Sequence, residues 1–145
     1  MSLFASLSVS ASGMAAERAR ASLLVENLAN SETTRAPEGG PYRRKDAVFA
    51  SEAVTSPFGS AFANAIGAEG TGVRVAEVVE DTSAPERRYL PGHPDAGADG
   101  YVSFPHINPA EDMVDLMSAS RNYEANIAAI SAVKDMISHS IDLLR

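Results

Sequence analysis

The C-terminal quarter of this chain constrains it most. Residues 109–145 contain no glycine and no proline after Pro109, so nothing in them breaks a helix. Met113, Leu116, Ser120, Tyr123, Ile127, Ile130, Lys134, Ile137, Ile141 and Leu144 step by three and four to the end. That is the seam of a long helix, and only Lys134 interrupts it. The start is marked as well. Asn108 suits the N-cap, Pro109 the first helical position and Glu111 the acidic place of a capping box. Asp112 and Asp115 favour the positive end of the helix dipole. The pattern predicts a helix of about 36 residues, roughly 54 Å long.

A narrow apolar stripe of that length needs an equally long partner. Residues 1–30 supply one. Leu3, Leu7, Ser10, Met14, Glu17, Ala21, Leu24 and Leu28 repeat the same spacing, with Glu17 as the violation. Gly13 costs this helix about 1 kcal/mol relative to alanine. The simplest arrangement is a helical hairpin within one chain, with Leu3, Leu7, Met14, Leu24 and Leu28 packed on Ile127, Ile130, Ile137, Ile141 and Leu144. Each helix also carries apolar residues off that seam: Val9, Leu23 and Val25 on the first, and Val114, Met117, Val133 and Met136 on the second. One partner helix does not cover those second faces, so both ends are expected to pack against other copies too.

The middle differs in texture. Residues 35–105 hold seven of the eight prolines and read as short strands and turns. Tyr42 to Phe49 is one candidate strand. Gly72 to Val79 alternates apolar and polar residues like a half-buried strand. Arg87 to Leu90 and Tyr101 to Phe104 are two more, separated by the turn chemistry of Pro91-Gly92-His93-Pro94-Asp95 and Asp99-Gly100. Residues 51–71, rich in alanine, serine and glycine, are expected to form a flexible insertion. The predicted class is α+β: a coiled-coil pair from residues 1–34 and 106–145, and a small β-rich, loop-rich region over 35–105. That region is too small for a core of its own and should lean on the helices.

Composition removes most chemistry. The chain has no cysteine, which excludes thiol catalysis, disulfides and cysteine-ligated metal centres. Its net charge of −7 argues against nucleic acid and against anionic membrane surfaces, and no apolar run is long enough to span a bilayer. No serine stands in a Gly-x-Ser-x-Gly elbow and no glycine-rich loop cradles a phosphate. His93, Asp95, Asp99 and His106 match no firm metal-ligand spacing and sit in turns. Neither a catalytic site, a cofactor nor a metal is expected. The one basic cluster, Arg43-Arg44-Lys45, suits a strand edge or an ion pair with an acidic surface. The start, Met1-Ser2-Leu3-Phe4, lacks the basic and apolar regions of a cleaved secretory signal.

Three segments, in order, resemble the bacterial flagellar rod and hook axial proteins. Ser10-Ala11-Ser12-Gly13-Met14 leads into Asn27-Leu28-Ala29-Asn30-Ser31-Glu32-Thr33, which looks like the family's first helix and the turn after it. Gly40-Pro41-Tyr42-Arg43-Arg44-Lys45 and Tyr89-Leu90-Pro91-Gly92-His93-Pro94-Asp95 are similar to the segments that set C-type proximal rod subunits apart from their sisters. Gly100-Tyr101-Val102, Asn108-Pro109 and the run from Met113 to Asn126 resemble the family's C-terminal signature. The likeness spans nearly the whole chain except about residues 51–71.

It implies a structural subunit of the basal-body rod, the drive shaft that carries torque from the membrane ring to the distal rod and hook. Such a subunit is exported through the flagellar type III apparatus without a cleaved signal and resides in the periplasm. It assembles with copies of itself and with rod subunits of the FlgB, FlgF and FliE types, without membrane insertion. The interface residues implied are Leu3, Leu7, Met14, Leu24, Leu28, Met113, Leu116, Tyr123, Ile127, Ile130, Ile137, Ile141 and Leu144. Asn27 and Asn30 are expected to fix the turn after the first helix, and Arg121 and Glu124 to make polar contacts between subunits. The alternatives are another rod- or hook-type axial subunit and a flagellar type III export chaperone or regulator.

Overall fold

The computed structural model describes residues 3–37, 39–53 and 71–143. Helix α1 spans Leu3–Ala29 and helix α2 spans Pro109–Asp142, about 40 Å and 51 Å at the usual rise. Asn108 caps α2 as its sequence predicts. It has extended backbone, and its side-chain oxygen accepts from the Ala110 amide at 3.2 Å. Pro109 follows, with Glu111 and Asp112 in the first turn.

The helices pack side by side and antiparallel. Gly13 lies against Asn126, Asn122 Nδ2 donates to Glu17 Oε1 at 3.0 Å, and Arg20 pairs with Asp115 at 3.4 Å. The close approach explains Gly13, since a Cβ there would stand 3.1 Å from Asn126 Nδ2. The seam keeps Leu116, Ile130 and Ile137 of the predicted stripe and departs from it by one position at three others. Ala119 and Val133 are buried, with Asn126, Ile130 and Ile137 half-buried beside them, while Ser120, Ile127 and Lys134 are exposed. Two forces set this register. The small residues Gly13 and Ala16 of α1 accept a small opposing surface, and Lys134 keeps its ammonium in water. Ile141 also leaves the seam, because α2 is 34 residues long against 27 for α1 and runs past its start.

Strands β1 (Lys45–Ala53) and β2 (Thr71–Glu80) form an antiparallel ribbon, from Lys45 opposite Glu80 to Ala53 opposite Thr71. The register slips where Val48 pairs with Glu77 and Phe49 with Val75, leaving Ala76 extra. Directly opposed residues share a face. The bulge therefore brings Val73, Val75 and Val78 onto one side with Ala47 and Phe49. The ribbon lies along α1, where Val73 N donates to Ser12 Oγ at 3.1 Å. Of the expected insertion at 51–71, residues 51–53 and 71 belong to these strands and 54–70 lie outside the described residues.

Strands β3 (Glu86–Tyr89) and β4 (Tyr101–Phe104) form a second antiparallel pair. Of the middle region, which was expected to lean on the helices, the β1–β2 ribbon does so, while the backbone of this hairpin stays apart from both helices. It sits against the loop after α1, where Thr34, Arg35, Gly40 and Pro41 face Tyr101, Val102 and Ser103 across a shallow cleft. Its turn is fastened there through Asp95, which accepts from Thr34 Oγ1 at 2.7 Å and pairs with Arg35. The fold is α+β, with two long terminal helices and a small middle of short antiparallel strands.

Candidate assembly surface

Two adjacent residues at the base of the ribbon tie it to both helices. Asn27, in the last turns of α1, is fully buried. Its Nδ2 donates to Lys45 O at 2.9 Å, and its Oδ1 accepts from Lys45 N at 2.9 Å and from the Tyr42 hydroxyl at 3.1 Å. The carboxamide thus stands in for a neighbouring strand, satisfying both backbone groups of the first residue of β1. Lys45 also reaches Glu26 at 2.7 Å, and this acceptor raises the lysine pKa. Burial, and then the charge of Glu26, push the Tyr42 hydroxyl up to about 12.

The neighbouring Arg44 turns the other way. Its Nη2 lies 3.0 Å from Oδ1 of Asp112, whose side chain is wholly buried in the first turn of α2, and its Nε lies 3.3 Å from Asp46. Neither oxygen of Asp112 has a hydrogen bond of good geometry. Burial raises the Asp112 pKa and the Arg44 charge opposes that rise, while Asp46, Asp115 and Glu111 reinforce it.

Asn30, rather than Asn27, makes the turn. Its Nδ2 donates to Glu26 O at 2.9 Å and its Oδ1 accepts from Thr33 Oγ1 at 3.2 Å. The expectation for Asn27 is corrected: its amide is spent on β1, because the chain returns past it at Tyr42 and Lys45. The histidine and acid residues of the middle are likewise taken up by turns and pairs. His93 Nδ1 accepts from Asp95 N at 3.1 Å, Asp99 pairs with Arg87, and His106 lies 3.5 Å from Asp81.

The residues expected at subunit contacts fall into two groups. Leu24 is buried against the rest of the chain, and Leu7, Met14, Leu28, Leu116, Ile130 and Ile137 are half-buried. Leu3, Met113, Arg121, Tyr123, Glu124, Ile127 and Ile141 are exposed, and Leu144 lies outside the described residues. Of the second faces, Val114, Met117, Met136 and Val25 are more than half or half exposed, whereas Val133 has moved into the seam. Among the described residues of α2 only Asp112, Ala119 and Val133 are buried. The structure therefore presents a long helix with large apolar residues left exposed at several places around it. Asp112 and Arg44 were the pair that sequence reasoning left unjoined. The only signal was a basic cluster in an acidic chain and an acid one turn into a helix.

Residues 98–143 match the family described as flagellar basal body rod FlgEFG protein, C-terminal. Similarity extends over the full length to proteins named flagellar basal-body rod protein FlgC. That of Bacillus subtilis is 42% identical, over 99% of this chain and 99% of the relative. That of Borreliella burgdorferi is 39% identical over 100% and 99%, and that of Salmonella typhimurium 36% over 99% and 98%. The chain belongs to the FlgC family of flagellar basal-body rod proteins. No helix among the described residues is long and apolar enough to cross a membrane.

Proposed function

We propose that this chain is a structural, non-catalytic subunit of the proximal rod, assembling through its terminal helices and transmitting torque. The axial core would be residues 1–34 and 106–145, with 35–105 as the β-rich part. The observation that carries this reading is the set of large apolar residues that α2 leaves uncovered. Met113, Val114, Met117, Ile127, Met136 and Ile141, distributed around the helix, are each 45–65% exposed, more apolar surface than a self-contained domain leaves in water. In a tube of subunits these residues meet neighbouring helices, and the area withheld from water grows only on assembly. Copies of itself, FlgB-, FlgF- and FliE-type subunits and the type III export apparatus are the partners that follow. The site follows too: the rod in the periplasm, reached without a cleaved signal. Full-length likeness to FlgC proteins favours this over the export-chaperone reading.

The test is complementation of a motile bacterium lacking its own rod subunit of this type. The chain should restore swimming, and Ile130→Asp should not, while the variant still accumulates. Ile130 is half-buried between the helices, so Ala128→Lys on the exposed side is the sharper variant. Swimming restored equally by Ala128→Lys would overturn the proposed packing.

A further inference from the structure

We propose that the Asp112–Arg44 pair is a pH-sensitive clasp that sets the direction of the β1–β2 ribbon relative to α2. The inference rests on the geometry of the ribbon base and is independent of the rod reading. At its base the ribbon is held at two consecutive residues by unlike means, while farther along it rests on α1, where Val73 N donates to Ser12 Oγ. Lys45 is clipped to α1 by the neutral Asn27 amide through two backbone hydrogen bonds. Arg44 is held to α2 by charge alone, its guanidinium 3.0 Å from a carboxylate with no exposed side-chain surface. The Arg44 carbonyl also accepts from Asp81 N at 2.7 Å, so the same residue holds the outgoing end of β2. Moving Arg44 therefore moves both ends of the ribbon base, with the Asn27 clip as pivot.

The charges around Asp112 make the clasp releasable. Arg44 and Asp46 face it from the chain entering β1, Glu111 and Asp115 flank it on α2, and Arg20 of α1 is engaged with Asp115. Three acids and an unsatisfied, buried pair of oxygens favour the neutral carboxyl, and a single guanidinium opposes them. Once Asp112 takes a proton, the attraction for Arg44 is gone. The guanidinium, one-fifth exposed, then keeps Asp46 as its partner. A folded-state pKa raised above the unfolded value means that Asp112 favours the folded chain most below the ordinary carboxylate range. That contribution is lost as pH rises through the folded pKa. Release on acidification is thus a change of ribbon direction without unfolding by this group. Asp112 is a positioning residue whose ionised form costs stability and fixes geometry.

The absence of cysteine allows spin labels at Ser51→Cys on the ribbon and Ser118→Cys on α2 in the full-length chain, both exposed positions. At neutral pH one narrow distance distribution is expected, broadening or splitting on acidification while the helical signal persists. Asp112→Asn should give the broad distribution at every pH with no loss of thermal stability, and Asp112→Glu should restore a pH response. His106→Gln removes the other titratable pair bordering the Arg44 cavity, His106 with Asp81, and should leave the response intact. A narrow, pH-independent distance in both wild type and Asp112→Asn overturns the proposal. So does a pH response that vanishes with His106→Gln.

Discussion

Replacing Asn27 with alanine should be among the costliest single changes in this chain, and the structure says by how much. The amide is fully buried and makes three hydrogen bonds, two of them to the backbone of Lys45 at 2.9 Å. Removing it strands one backbone N–H and one C=O at the edge of a ribbon that has no other strand on that side. A polar group left unpaired away from water costs about 1–3 kcal/mol, so the two together cost roughly 2–6 kcal/mol. The Tyr42 hydroxyl loses its acceptor but can turn to solvent. In a chain of this size each kcal/mol moves the melting temperature by about 4 °C, giving a fall of roughly 8–24 °C. Chemical denaturation with amide exchange at Lys45 is the assay. Asn30→Ala is the internal comparison. It removes a turn hydrogen bond nearer solvent and should cost about 1 kcal/mol. If Asn27→Ala costs under about 0.5 kcal/mol, the level of an ordinary surface change, and Lys45 N–H stays protected, the strand-substitute role of this amide is refuted.

Gly100 has φ of 75°, and a Cβ there would meet the Tyr89 ring at 2.8 Å; Gly100→Ala should destabilise the β3–β4 hairpin by about 1–3 kcal/mol, read as faster exchange of Val102 N–H. Tyr42 should ionise only near pH 12, two units above free tyrosine. Because its folded pKa is raised, its contribution to stability is complete below pH 10 and lost between about 10 and 12. An ultraviolet titration that shows all four tyrosines ionising together near 10 would contradict this burial. Met117→Lys combined with Met136→Lys replaces two half-exposed residues of α2. It should leave the melting temperature within about 2 °C yet abolish complementation of swimming.

The helices were legible because their rules are local. Asn108-Pro109 places the start of α2, and the absence of breakers carries it to Asp142. The strands could be read from alternation and turn residues, although the bulge at Ala76 could not. It puts Val73, Val75 and Val78 on one side with Ala47 and Phe49, a register that exists only once the two strands are paired. Part of the seam was off by one because a stripe chosen by size favours Ile127 and Ile141. The structure closes on Ala119 and Val133 instead. Close helix approach at Gly13 decides that register, and a partner's shape is not written in the stripe itself. The Asn27 clip and the Arg44–Asp112 contact were hidden for the same reason. Each joins residues far apart in sequence whose local roles, as turn former and helix-start acid, were sufficient explanations alone.

The sizes of the residues that α2 buries and exposes bear on what the fold is for. A domain that completes itself buries its largest apolar side chains and leaves alanines outside, since each buried methylene is worth about 0.8 kcal/mol. Here that order holds only in part. Gly13, Ala16 and Ala119 share the space between the helices with Leu24 and Val133, while Met113, Met117, Ile127, Met136 and Ile141 are about half exposed or more. Gly13 in the seam lets the two helices approach closely. Large apolar residues stay exposed around α2, as far as Ile141 beyond the start of α1. A lone molecule gains nothing from that arrangement. In the assembly proposed above, these exposed side chains are the surface whose hydrophobic free energy is gained only when a neighbouring subunit covers it.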